Sequence, residues 1–381
     1  MTPNPRTNPK APSASHVRNE RGAVLVLMAF ALVVFLGIAA LAIDLGLLFV
    51  ARGEAQRAAD AAAHAGAGFF QLNRNEAATR DFVVEFASNN SVRGIPVEVD
   101  RDEDIDIEVA RSLVRVRVRR TDDSSQGPVA TLFSRALGIN ELGVSASAAA
   151  QVYGATLAEC ILPIAIPDRY QRYDGQPVGP QEAFNNNDHF YVPTQTGFRL
   201  PDDIGREVFL RPGDEGGNRI NPSWWNTVQS RDLQFATPGA VGVANAIQAC
   251  DDVIFGEGEE LETATGNLGN RGRRAFLDLL EQDLDAEWDP DLQCVTSGDG
   301  ICRPSPRLRP VVFFDPTVSI PPGRSPVPVT RLIPLFIESV TGGPSNYQVT
   351  AIMARGLGLA PGDFEVTPGN DFFLTAIRIV E

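Results

Sequence analysis

The chain has 381 residues, which is enough for two or three domains of ordinary size. A hydrophobic content of 43% argues against a wholly disordered protein, and 34 glycines with 28 prolines indicate many turns. The formal net charge of −15 argues against a nucleic-acid partner, because phosphate binding needs a clustered basic surface.

The N-terminal region predicts a tail followed by one membrane span. Residues 1–21 are rich in Pro, Asn and Ser and hold no apolar run, so we expect a disordered cytoplasmic tail. Residues 22–43 are uncharged, and a helix of that length, at about 1.5 Å per residue, crosses a hydrocarbon core of about 30 Å. A cleaved signal peptide is the alternative, but its apolar region is shorter, at about 7–15 residues. We therefore predict a retained transmembrane helix bounded by Arg21 and Asp44.

Charges on either side of this span predict its orientation. Basic residues outnumber acids before the span, whereas Asp44, Glu54 and Asp60 balance Arg52 and Arg57 after it. The positive-inside rule then keeps the N-terminal tail in the cytoplasm and exports everything after the span.

The four cysteines all lie on the exported side of the span. An even number of cysteines outside the cytoplasm predicts two disulfides. Of the three possible pairings we favour Cys294 with Cys302, which closes a short loop, and Cys160 with Cys250. A zinc site is the alternative, but the chain has no CxxC or HxxxH spacing to support it, so we predict no metal site.

Small and apolar side chains continue at helical spacing beyond Asp44. This alanine stripe consists of Leu47, Leu48, Ala51, Ala55, Ala58, Ala62 and Ala65. Alanine favours helix strongly and has no bulky side chain to keep a neighbour away, so the stripe suits packing against other helices. A membrane anchor with a juxtamembrane stalk is the alternative, and physical reasoning alone leaves both open.

Residues 44–154 are predicted to combine this helix with a small antiparallel sheet. A second helix is expected over 75–90, a short one over 129–138 and a strand over 144–153. Alternating aliphatic and charged residues over 104–119 predict a hairpin in which acids face arginines across the strands. A calcium loop and a nucleic-acid patch are alternatives for this segment, but the glycine of an EF-hand and stacking aromatics are missing.

Residues 155–381 are predicted to form a β-rich α+β exported domain. Pro, Gly and aromatic residues become dense here, and one clear helix is expected over 270–284 with Asn270 as its cap. Strand-like runs follow at 308–315, 330–340, 347–355 and 371–380. The chain as a whole is thus predicted to be α+β, with both disulfides in this last domain.

The sequence offers little support for catalytic chemistry. A Ser/His/Asp triad would need His189, but no G-x-S-x-G motif accompanies it, and we interpret it as a surface turn residue. Asp188 precedes it, which on a strand would put the two side chains on opposite faces. Trp224 and Trp225 offer a sugar-stacking platform, although adjacent tryptophans more often plug the edge of a core. No nucleotide-binding or zinc-protease motif is present, so we predict no catalytic residue and no cofactor.

Residues 20–67 resemble the N-terminal segment of the TadE/TadG-like proteins of the Tad (tight adherence, Flp) pilus system. Three features carry the resemblance: a Glu-Arg-Gly start at 20–22, a span that closes in Ala-Ile-Asp-Leu-Gly at 42–46, and an alanine-rich run over 52–67. Further along, the CILPIAIPD segment at 160–168 and the later cysteines look like the exported domain of TadG-related members.

The resemblance implies a single-pass protein of the bacterial inner membrane, with a cytoplasmic N-terminus and a periplasmic C-terminal domain. It implies a non-enzymatic structural or assembly component, minor pilin-like, of Tad/Flp pilus biogenesis that supports surface attachment. The expected partners are inner-membrane lipid, other pilus-assembly membrane proteins and pilins. A membrane-tethered carbohydrate-binding or adhesion protein acting through Trp224 and Trp225 is the alternative, and a tethered hydrolase using His189 is a third hypothesis.

Overall fold

The computed structural model describes residues 21–178, 182–211, 226–229, 240–250, 254–263, 268–321, 324–344, 346–358 and 372–380. The chain divides into two compact units, which are described separately. The anchor unit comprises Met1–Gly53 and Arg120–Val144. The sheet unit comprises Glu54–Arg119 and Ser145–Glu381.

The secondary structure confirms the predicted α+β class. The helices are α1 (Arg21–Asn73), α2 (Glu76–Ala87), α3 (Ala240–Gln248) and α4 (Gly269–Glu281). The strands are β1 (Ser91–Val92), β2 (Ile95–Pro96), β3 (Ile105–Glu108), β4 (Leu113–Arg120), β5 (Val129–Ala130), β6 (Glu141–Leu142), β7 (Val144–Gly154), β8 (Leu157–Ala158), β9 (Leu162–Pro167), β10 (Tyr170–Arg172), β11 (Pro177–Val178), β12 (His189–Phe190), β13 (Glu207–Arg211), β14 (Asn226–Gln229), β15 (Phe255–Gly256), β16 (Glu260–Thr263), β17 (Glu287–Asp289), β18 (Cys294–Thr296), β19 (Leu308–Phe314), β20 (Pro326–Pro328), β21 (Arg331–Thr341), β22 (Gln348–Met353), β23 (Gly356–Leu357) and β24 (Leu374–Ile379).

Helix α1 runs without interruption from the predicted span into the alanine stripe, as the sequence predicts. It is the one helix in the described part of the chain that is long and apolar enough to cross a membrane. Its large apolar side chains from Val24 to Ile43 are exposed, as lipid contact requires. The helix therefore has an uncovered apolar half followed by a half that the chain itself covers on one face.

A five-stranded sheet in the order β23-β24-β7-β4-β3 belongs to the same unit as the second half of α1. The predicted hairpin is confirmed: Ile105 of β3 lies opposite Val116 of β4, and Asp106 lies opposite Arg115. The Arg115 guanidinium and the Asp106 carboxylate are 3.0 Å apart. The C-terminal strand β24 pairs antiparallel with β7, so this sheet draws strands from both sides of the predicted boundary at 154/155.

A larger sheet of eight strands has the order β13-β22-β21-β19-β9-β14-β16-β20. Helices α3 and α4 pack against each other and share a core with the central strands. Fully buried members of this core include Phe276 of α4, Phe313 of β19 and Leu335 of β21. The predicted strands over 308–355 correspond to β19, β21 and β22, which confirms the β-rich character of this region.

Two local predictions are wrong. Residues 129–138 do not form an α-helix, because Val129 and Ala130 pair with β6 and only Ser134–Leu137 coil into a 3₁₀ turn. Helix α4 begins at Gly269 with Leu268 as its N-cap residue, so Asn270 lies inside the first turn. In the first case pairing with the neighbouring strand β6 overrides local helix propensity, and in the second the helix begins before Asn270.

The two disulfides follow the favoured pairing. Cys160 is bonded to Cys250 and Cys294 to Cys302, with sequence separations of 90 and 8 residues. In the chain-entropy account, a cross-link stabilises by restricting the unfolded chain, and a longer loop gives more stabilisation. The first bridge therefore restricts the unfolded sheet unit far more than the second.

We expect the two bridges to contribute unequally to the free energy of unfolding. Replacing both Cys160 and Cys250 with alanine should lower it by about 4–5 kcal/mol, and replacing both Cys294 and Cys302 by about 2–3 kcal/mol. Denaturant titration of the purified full-length protein in detergent measures both losses. Equal losses, or a larger loss for the short loop, would contradict the loop-length argument.

Helix α1 approaches its neighbours closely at Gly66. A Cβ atom at this position would lie 2.6 Å from Val83 Cγ2 of α2 and 3.1 Å from Val114 Cγ1 of β4. Neither valine side chain can rotate freely away, because both residues are fully buried. Glycine is thus needed here for space, although it is a poor helix former.

Gly66→Ala should therefore destabilise the sheet unit. Overpacking should lower the free energy of unfolding by about 1–3 kcal/mol, and the better helix propensity of alanine should offset about 0.5–1 kcal/mol of that loss. The matched control is Gly46→Ala on the same helix, where an added Cβ meets no atom within 4 Å. Denaturant midpoints of the two variants make the comparison. A Gly66 variant as stable as the control would show that the close approach imposes no packing constraint.

Candidate functional site

The carboxylate of Asp44 is a buried hydrogen-bond acceptor in the anchor unit. Asp44 is only 2% exposed, although it follows directly on the uncovered apolar half of α1. Its Oδ1 accepts the N–H of Leu132 at 2.9 Å, and its Oδ2 accepts that of Phe133 at 3.0 Å. Ser134 donates both its N–H, at 2.5 Å, and its hydroxyl, at 2.6 Å, to Oδ2. Three consecutive backbone donors and one hydroxyl therefore converge on this carboxylate.

These donors belong to a short segment that we call the 129–142 hairpin. Its base is the antiparallel pair β5 and β6, in which Val129 lies opposite Leu142. Thr131 extends the pairing, since its N–H and hydroxyl donate to Asn140 O at 2.9 Å and Ile139 O at 2.6 Å. The tip contains the 3₁₀ turn Ser134–Leu137, which ends at Gly138 with a left-handed backbone, φ 86°. The N–H groups at the start of a helical turn lack internal partners, and Asp44 satisfies them.

The hydrogen bonds keep Asp44 ionised. The Ser134 hydroxyl is the largest influence, and together with the three backbone N–H groups it outweighs burial and lowers the pKa of Asp44 from 3.8 to about 2. Because the folded-state pKa is depressed, the stabilisation is fully present above pH 4 and is lost as the pH falls towards 2. At neutral pH the residue just beyond the predicted span is therefore a charged carboxylate with its own set of donors.

Sequence reasoning assigned Asp44 to the membrane boundary but missed its bonds to the hairpin. A signal was present: an acid placed on an otherwise apolar helix needs donors, and residues 132–134 start a short helical turn that needs acceptors. Nothing in the local sequence says that these two segments meet. The boundary role of Asp44, like that of Arg21 at the first residue of α1, stays a prediction.

The alanine stripe faces the interior of the chain. Ala51, Ala55, Ala58 and Ala62 are at most 1% exposed, and Ala65 is half-buried. The stripe therefore has an intramolecular role, which the sequence did not specify. Its predicted contact with helices of other proteins is not tested by one chain and stays a prediction.

Polar residues of the alanine-rich run also bind the protein's own sheet unit. Gln56 donates to the Asp60 carboxylate at 2.9 Å and to the backbone carbonyl of Ser147 in β7 at 3.0 Å. The Glu54 carboxylate accepts the backbone N–H of Arg93 at 2.7 Å. Further along, Phe69 stacks on Phe82 of α2 with ring centroids 4.4 Å apart. The second half of α1 is thus held by specific bonds as well as by close packing.

Of the other candidate residues, His189 lies within the described part of the chain. His189 is buried, which corrects the prediction of a surface turn residue, and it packs against the rings of Tyr170 and Phe184. Asp188 Oδ1 lies 2.5 Å from His189 Nδ1, because Asp188 belongs to a turn and not to a strand. Trp224 and Trp225 lie outside the described residues. Within the described ranges, no group of three His, Cys, Asp or Glu residues could hold a metal ion.

Asp44→Asn should loosen the hairpin. The asparagine amide keeps one acceptor oxygen, but it lacks the negative charge and places an NH₂ donor opposite backbone N–H donors. We expect amide hydrogen exchange at residues 132–134 to accelerate roughly tenfold or more. Ser134→Ala, which removes the hydroxyl and leaves the backbone bonds, should give a smaller acceleration.

The matched control for this experiment is Asp60→Asn, a half-buried acid on the same helix that makes no bond to the hairpin in the structure. Exchange at residues 132–134 should stay unchanged in this control. Protection of the hairpin in Asp44→Asn equal to that in the control would rule out the carboxylate as the group that holds it.

Comparison with known proteins finds a family match for the N-terminal segment. Residues 22–68 match the family model described as putative Flp pilus-assembly TadE/G-like. No curated protein and no solved structure matches the chain. The match covers the predicted span, Asp44 and the alanine stripe together, and it supports a part in Tad/Flp pilus assembly. Residues 22–68 of this chain are therefore similar to the TadE/G-like segment of Flp pilus-assembly proteins, as the sequence predicts.

Proposed function

We propose that this protein is a membrane-anchored, non-enzymatic component of Tad/Flp pilus assembly, minor pilin-like and TadG-related, that supports surface attachment. The observation that carries the proposal is the TadE/G-like segment over residues 22–68, which lies on a single continuous helix. The family relation implies contacts with other pilus-assembly components, and membrane proteins and pilins are the partners that we propose.

The anchor in this proposal is residues 22–43. Support comes from the exposed apolar side chains between Val24 and Ile43, which no other part of the described chain covers. The excess of basic residues before the span favours a cytoplasmic N-terminus, and hence a periplasmic location for residues 44–381 in a bacterial inner membrane. Two disulfides agree with that compartment, because such bonds persist in oxidising environments.

A structural role for the exported part is supported by the surroundings of its buried histidine. His189 lies among Tyr170, Phe184 and two acids, and its Nδ1 is 3.2 Å from the Asn185 carbonyl oxygen. Its other polar neighbours are the carboxylates of Glu182 and Asp188, so the ring is held between aromatic and polar groups of its own chain. We therefore propose interaction surfaces, and not catalysis, as the work of this region.

The proposal predicts that deletion of the gene removes surface pili and adherence together. Plasmid-borne wild type should restore both, and so should a Trp224→Ala/Trp225→Ala variant, because the tryptophans have no part in assembly in this proposal. Electron microscopy counts pili, and an adherence assay on the same cells scores attachment.

Two results would contradict this role. Pili normal in number and length with adherence lost, and not restored by the tryptophan variant, would support the alternative of a tethered carbohydrate-binding adhesin. Unchanged pili and unchanged adherence in the deletion strain would remove the protein from pilus assembly altogether.

A further inference from the structure

We infer that the tip of the 129–142 hairpin is a second membrane contact, in which Leu132 and Phe133 enter the lipid headgroup layer beside the exit point of the helix. The inference rests on the proposed span of residues 22–43 and adds a surface that this span does not include. All residues that carry it belong to the anchor unit.

Hydrogen bonds fix the height of the hairpin tip along α1. Asp44 is the first residue beyond the proposed span, and the backbone nitrogens of Leu132 and Phe133 lie 2.9 and 3.0 Å from its carboxylate oxygens. A bilayer has a hydrocarbon core of about 30 Å and a total thickness of about 40–45 Å, which leaves roughly 5–7 Å of headgroup region on each side. A loop bonded to the first residue outside the core therefore lies within that region.

The hairpin tip presents apolar side chains that the chain leaves uncovered. Leu132 is 59% exposed and Phe133 is 47% exposed, and Ile139 and Leu142 of the same hairpin are exposed as well. Single exposed apolar residues are ordinary, but a cluster of this kind on so small an element marks an interaction surface. Their backbones are held by Asp44 and by strand pairing, so these side chains are displayed on a fixed element.

The helix beside the hairpin adds exposed apolar side chains on its other faces. Beyond Asp44, the side chains of Leu45, Phe49 and Val50 are exposed, with Phe49 at 74%. These positions extend at most about 9 Å beyond residue 44, at about 1.5 Å per residue. Two elements of one unit thus display apolar side chains at the height of the headgroup layer or just beyond it.

Lipid is the occupant that fits this surface best. Interfacial protein segments bury apolar side chains about 5–10 Å into the headgroup and acyl boundary and keep basic groups at the phosphates. Arg135 meets the second requirement, because it is exposed on the 3₁₀ turn next to Phe133. Its aliphatic stem can lie along the apolar surface while the guanidinium reaches a phosphate. A second contact of this kind would restrain the tilt of α1 in the membrane.

Depth-dependent fluorescence quenching in vesicles tests the inference. All four native cysteines are in disulfides, so one introduced cysteine is the single free thiol for an environment-sensitive probe. Probes are attached to full-length Leu132→Cys and Phe133→Cys proteins in phosphatidylethanolamine and phosphatidylglycerol vesicles. Phe35→Cys reports the span, and Asp122→Cys reports an exposed acidic turn of the same unit.

We expect the probes at 132 and 133 to be quenched most strongly by lipid whose spin label is near the headgroups. The probe at 35 should be quenched most strongly by lipid whose spin label is deep in the acyl chains. The probe at 122 should be quenched by aqueous iodide instead. Iodide quenching at 132 and 133, with the probe at 35 still quenched by lipid, would overturn the second contact and leave the span intact. Protection from both quenchers would assign the surface to another copy of the protein, and an unquenched probe at 35 would overturn the proposed anchor itself.

Discussion

A carboxylate that is withdrawn from water requires donors, and Asp44 meets this requirement at the point where α1 stops being apolar on all sides. Three backbone N–H groups and one hydroxyl of residues 132–134 supply them. The same bonds give the 129–142 hairpin a fixed attachment, since its tip lacks other acceptors for these N–H groups among the described residues. One ionised side chain thus defines both the end of the uncovered apolar half of the helix and the position of the loop beside it.

Beyond Asp44 the dominant constraint changes from charge to space. The buried face of α1 is built from alanines, and at Gly66 even a methyl group would collide with Val83 and Val114. Small residues allow the helix backbone to approach its neighbours, and the contact is made specific by Gln56, which bonds to β7. An alanine-rich run can therefore look like a surface for partner helices in the sequence while it serves the fold of its own chain.

The sequence predicted the elements that have strong local periodicity. The β3–β4 hairpin with Asp106 facing Arg115 follows from a period of 2 residues, and α1 follows from an uncharged run continued by small residues at helical spacing. The long strands after residue 308 were predicted from continuous apolar runs, which the structure buries on both faces. One failure is local: the β5–β6 hairpin pairing replaced a predicted helix, because strand pairing overrides local helix propensity. A second class depends on contacts between segments that are distant in sequence, such as β24 with β7 across more than 200 residues of chain. The hydrogen bonds of Asp44 belong to this second class, so the residue could be singled out but its role could not.

The family match ends within α1, one turn before the helix itself ends. The match ends at residue 68, and the last turn of α1 beyond it makes contacts through larger side chains. Phe69 stacks on Phe82, and Asn73 accepts the backbone N–H of Cys302 at 3.0 Å. The matched segment thus combines the apolar half of α1, the acid at its end and a face of small residues, and its second half already fits the sheet unit through Gln56 and Gly66.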